Sequence, residues 1–149
     1  MNGRQIRSTA LALIALCVTP QAGAQEFANL AELLARGAKR LSAIELQSLL
    51  PGATLSGRIL HATSRLEFEA TYSADGTLSG RLNGLPPNAN PGMQGTWAID
   101  AGGRLCTNVL TMAVGQSKTC IFFYKLDDVH YAASSDADSA IVRSRKVRR

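Results

Sequence analysis

The chain has 149 residues, with 16 Lys and Arg against 11 Asp and Glu and a formal net charge of +5. That length suits one domain behind a leader, and such a domain buries enough surface to fold without a metal. Between residue 25 and Val142 the nine basic residues are outnumbered by the eleven acids, and only 5% of the chain is aromatic. This argues against a nucleic-acid module, which interleaves cations with aromatics on one surface.

The first predicted element is a secretory leader over residues 1–24. Arg4 and Arg7 precede the apolar run Thr9–Val18, Pro20 breaks it, and Ala22-Gly23-Ala24 supplies the small residues needed for cleavage before Gln25. The run is too short to span a bilayer, and no later run is long enough, so no transmembrane segment is expected. Cys17 follows an apolar stretch as a lipidated cysteine does, but bulky Leu16 argues against that processing. The expected address is the periplasm or the exterior.

A helical segment is expected over residues 25–52. Phe27, Leu30, Leu33 and Leu34 recur at helical spacing, and Gly37 ends the run. Ser42-Ala43-Ile44-Glu45 fits a capping box, with Ile44, Leu46, Leu49 and Leu50 as the apolar surface of a second helix stopped by Pro51-Gly52. Its polar side lacks the cations of a membrane-surface helix, so its apolar face should cover the core.

From Thr54 the period changes to two. The first strand is taken to run towards His61, with a turn at Ala62–Arg65. Leu66, Phe68, Ala70 and Tyr72 then alternate with Glu67, Glu69 and Thr71, a half-buried strand. Asp75-Gly76 marks a hairpin turn into Thr77–Asn83. After a loop from Gly84 to Gly92, strands are expected over Met93–Ile99, Arg104–Leu110, Lys118–Lys125, His130–Ala133 and Ser139–Arg143. The predicted fold is mainly β: a single antiparallel barrel or sandwich of about seven to eight strands over residues 53–143, preceded by one or two short helices. Residues 144–149 are expected to be a solvated basic tail, with weak polyanion contact as its conceivable role.

Loss of the leader removes Cys17 and leaves Cys106 and Cys120. Two cysteines in an oxidising compartment predict one disulfide, worth roughly 3 kcal/mol for a loop of about 15 residues. Trp97 and Ile99 should face one side of a strand, with the turn Asp100–Gly103 folding Leu105 and Cys106 beside it. The indole is then expected to fill the core near the staple.

The order of these features resembles a group of small secreted proteobacterial proteins that carry a β-rich domain of unknown function. The shared pattern is a helix ending in Leu-Leu-Pro-Gly, here within Glu45–Gly52, then Thr54-Leu-Ser-Gly57, Tyr72-Ser-Ala-Asp-Gly76, Gly95-Thr-Trp97, Leu105-Cys106, and a second cysteine before an aromatic strand, Cys120–Tyr124. The resemblance implies a secreted β domain and brings no activity with it. Secreted avidins and protease-inhibitor barrels share only the glycine-tryptophan look of the strands, a likeness of fold and not of function.

No catalytic residue is assigned. Ser134, Asp128 and His130 could be drawn as a triad, but no nucleophile-elbow motif supports them. Glu67 and Glu69 could be the two carboxylates of a glycosidase; the plainer reading is the wet face of an alternating strand. Asp127-Asp128 and Asp136-x-Asp138 do not fit a calcium loop, and two histidines with two paired cysteines make a poor metal site. Neither a cofactor nor a metal is expected. The favoured reading is a secreted or periplasmic, non-enzymatic binding or interaction module. Its ligand is not readable, its partner would be a protein or another envelope component, and its candidate contact surface is the proline-restricted loop 84–92. The alternative is a small periplasmic hydrolase or an inhibitor of one.

Overall fold

The computed structural model describes residues 25–60 and 65–149. Two short helices come first, α1 (Leu30–Ala35) and α2 (Ala43–Leu49), with a two-residue strand β1 (Lys39–Arg40) between them. Eight strands follow: β2 (Thr54–Arg58), β3 (Glu67–Tyr72), β4 (Thr77–Asn83), β5 (Gly92–Ile99), β6 (Leu105–Thr111), β7 (Gly115–Leu126), β8 (Val129–Ala133) and β9 (Val142–Arg148). Each of β2 to β8 pairs antiparallel with the next strand, and β9 pairs back with β2, which closes an eight-stranded barrel. The extra strand β1 extends the β6 edge of β7, with Lys39 opposite Lys125 and Arg40 opposite Tyr124. Closure leaves no free edge around the ring, the usual solution to edge-to-edge aggregation. Barrel, not sandwich, is therefore the architecture.

The alternation of side chains sorts the molecule into two apolar clusters. Inside the barrel lie Leu55, Ala70, Tyr72, Leu78, Leu82, Met93, Leu105, Phe123 and Ala132. One end is filled by Leu41, Leu46 and Leu50, so α2 acts as the cover its apolar face predicted, although Ile44 points to solvent. The capping box forms as expected: the Ser42 hydroxyl accepts from Glu45 N, and Glu45 accepts from Ser42 N. The second cluster lies outside the barrel wall. There Phe27, just ahead of α1, and Leu30 and Leu33 of α1 pack against Phe122, Tyr124, Tyr131, Ala133 and Val142, with Phe27 edge-on to Tyr131 at 5.4 Å. Successive residues of β7 and β8 thus serve two different cores, which explains their near-continuous apolar run.

Inward Gly80 and Gly95 let neighbouring strands approach where the wall bends; a Cβ at either would fall within 2.2 Å of a carbonyl oxygen on the adjoining strand. Among the described residues no helix is long and apolar enough to cross a membrane.

Three expectations are corrected. The basic run at 144–149 is not a solvated tail: Arg143 to Arg148 are most of β9, the closing strand, because its backbone is paired on both sides. The last strand accordingly starts at Val142 and not at Ser139, and the β domain extends past Arg143. The indole of Trp97 is on the opposite face from the staple: Cys106 pairs with outward Ala98, whereas Trp97 lies inward, edge-on to Tyr72 at 5.8 Å, and donates to Ser73 O. His61 and the turn at Ala62–Ser64 lie outside the described residues.

Candidate ligand-binding site

Strand β9 brings the site together. Leu55 and Val147 are register partners and both pack on the inner core, so the alternation places Arg145 and Arg143 inward as well. Arg145 stands opposite His130, which stands opposite Lys125; Arg143 stands opposite core residue Ala132. By register four basic residues therefore fall on the inward side of three consecutive strands, although Lys125 is exposed and lies close enough to Glu45 of α2 to help hold that carboxyl below its ordinary value. No acid of β2 to β9 shares them: Glu67 and Glu69 on β3 alternate with inward Phe68 and Ala70 and face outward.

Arg145 is the unusual member. It is only 4% exposed. Its Nη1 donates to the carbonyl of its neighbour Ser144 at 2.9 Å, and its Cζ lies 5.2 Å from the centre of the Phe68 ring. Gly57 leaves the room that this guanidinium fills, since a Cβ there would meet Nη1 at 2.9 Å. Nε is buried and has no hydrogen-bond partner among the described residues. All eleven Asp and Glu of the chain are among the described residues. The ion pairs formed are Arg58–Glu26, Arg81–Glu69, Arg104–Asp100 and Arg148–Glu69, and none reaches Arg145.

Electrostatics agree with the geometry. Burial pulls the Arg145 guanidinium down to about 10, with Tyr72 opposing and Arg143 adding to the shift. It is still a cation at neutral pH. Burial pushes the Tyr72 hydroxyl up to about 12, so Tyr72 is neutral and provides no counter-charge. His130 is held below its ordinary value by burial and by Lys125.

The residues singled out in the sequence are scattered. Cys106 and Cys120 are register partners on the outer wall with sulfurs at the disulfide distance, 2.07 Å. No hydrogen bond among the described residues links His130 with Asp128 or Ser134; the Ser134 hydroxyl instead accepts from Ile141 N. Glu69 is engaged by Arg81 and Arg148, as a wet strand face would be. In the loop 84–92 Leu85 packs against the inner core and Asn90 accepts from Gly92 N, while Pro86, Pro87 and Asn88 are exposed. Among the described residues no group of three or more His, Cys, Asp and Glu is placed to hold a metal.

Sequence reasoning missed Lys125, Arg143 and Arg145. The available signal was the β-branched flank, Ile141, Val142 and Val147, around a basic run that still alternates in a strand. Comparison of the chain with family models, with curated proteins and with solved structures finds no match.

Proposed function

We propose that the chain is an exported, non-enzymatic binding module, acting in the periplasm or outside the cell, that holds a small ligand within its barrel. The observation that carries this reading is Arg145, a buried cation inside a closed barrel whose chain offers it no counter-ion. An isolated buried charge costs several kcal/mol, and folds tolerate one where a partner completes it. The leader pattern at residues 1–24 and the Cys106–Cys120 pair support export, since disulfides persist in oxidising compartments. An eight-stranded barrel is just wide enough to be filled by side chains or to hold one small ligand, and sites of the second kind carry few inward polar groups.

Native mass spectrometry of the exported protein, followed by denaturation and identification of whatever is released, tests the reading. A stoichiometric small molecule is the expected result. A bare chain that also shows no thermal shift with a chemically broad ligand set would overturn it. Chemical conversion of the bound molecule would replace the binding module with an enzyme.

A further inference from the structure

Resting on the reading of the barrel as a ligand holder, we propose that Arg145 anchors the carboxylate of a small organic acid whose apolar part lies along Phe68 and the inner wall. A guanidinium offers five donors in a planar fork. Nη1 is tied to the Ser144 carbonyl and wedged beside Gly57, which leaves the edge bearing Nε and Nη2. Nε on that edge is buried without a partner among the described residues. Two parallel N–H groups at that spacing match the two oxygens of one carboxylate, the bidentate arrangement for which arginine is suited and lysine is not.

The surroundings select the rest of the ligand. Leu55, Phe68, Ala70, Tyr72 and Val147 belong to or pack against the inner cluster around this arginine, so a hydrocarbon or ring is favoured next to the charge. Inward positions 57, 80 and 95 are glycines and add no side chain to the interior. Of the basic neighbours, Arg143 adds charge without a second buried fork, while His130 is held below its ordinary value and Lys125 is exposed beside Glu45; one buried guanidinium suits one negative group better than a doubly charged phosphate. Arg143 is less buried than Arg145 and lies nearer the start of β9, beside the end of β2 and the loops away from α2.

The probes are octanoate, benzoate, inorganic phosphate and octanamide, the last matching octanoate in body but lacking the charge. Calorimetric titration of the full chain should show octanoate or benzoate binding at least roughly tenfold tighter than octanamide, as one charge-assisted bidentate contact provides. Arg145→Gln should bring acid and amide to parity. Because that variant could fail to fold, the unmutated protein supplies an independent readout: the Arg145 Nε–H nuclear magnetic resonance should move downfield on adding octanoate and stay fixed with octanamide. Acid and amide binding equally, or a preference for phosphate, would overturn the carboxylate assignment and leave the ligand-holding barrel standing. An unmoved Nε–H during saturable octanoate binding would place the acid elsewhere and overturn the anchor. Binding of none of the four probes overturns the carboxylate; only the failure of the broad ligand set and of native mass spectrometry removes the holder itself.

Discussion

Truncation after Val142 is the sharpest test of the fold, because a solvated tail and a closing strand give opposite outcomes. Removing residues 143–149 deletes three register pairs with β2 and three with β8. At about 1 kcal/mol net for each ladder hydrogen bond, that is roughly 6 kcal/mol. Val147 loses its burial, and Leu55, Ala132 and Val142, each no more than 1% exposed, lose cover; together these add about 3 kcal/mol. Release of the unpaired Arg145 offsets about 2–3 kcal/mol of this. The net loss, about 6 kcal/mol, rivals the entire stability of an ordinary domain, about 5–15 kcal/mol. Thermal unfolding by circular dichroism, with gel filtration, should find the truncated protein unfolded or self-associated through its two opened edges. The control replaces only outward Lys146 and Arg148 with serine, which should cost no more than about 1 kcal/mol because exposed ion pairs contribute little. A truncated protein that melts within a few degrees of the full chain would refute the closing role of β9.

Replacing Cys106 and Cys120 together with alanine should lower stability by about 2–4 kcal/mol, and denatured, unreduced protein without residues 1–24, and so without Cys17, should show no free thiol; two free thiols would remove the staple. Trp97→Phe keeps an aromatic ring near Tyr72 but loses the bond from Nε1 to Ser73 O, so chemical denaturation should register a loss of about 1 kcal/mol. His130 titrates below its ordinary value, so the unfolded chain binds its proton first as pH falls. Its contribution is therefore complete above about pH 6.5 and is lost as pH drops through the lowered folded value. Denaturation at pH 7.5 and pH 5 should show a smaller acid-side loss in His130→Gln than in the unmutated protein; an equal loss would assign the effect to other groups.

The wall was legible wherever the period of two was clean. Thr77–Asn83 was placed residue for residue, and the strands around Phe68, Trp97 and Leu105 came within a residue or two, because apolar and polar side chains alternate there. The Ser42–Glu45 capping box was equally direct, since its geometry is set within one turn. Lys39–Arg40 left no trace, because a two-residue strand has no period and exists only through its bond to the edge of β7. β9 was lost for a different reason. Arginine is rarely fully buried, so Arg143-Ser144-Arg145-Lys146 read as solvated, and only pairing across the whole length of the chain reveals which two arginines turn inward. The same prior hid the candidate site. Both clusters on β7 and β8 were also beyond a one-core reading, since α1 covers the outer wall that a simple alternation would leave wet.

Closure by β9 also orders the events of biogenesis. β2 begins at Thr54, yet its second partner lies at Lys146 to Arg148, so the ring cannot form until every other strand has been made. If the chain is exported as proposed, this keeps the emerging segment open and compatible with a narrow conduit. It also makes the final step a long-range search, which slows folding relative to hairpins that zip locally. Until that step the bare edges of β2 and β8 are exposed together, and a holding chaperone would have its greatest effect in that interval.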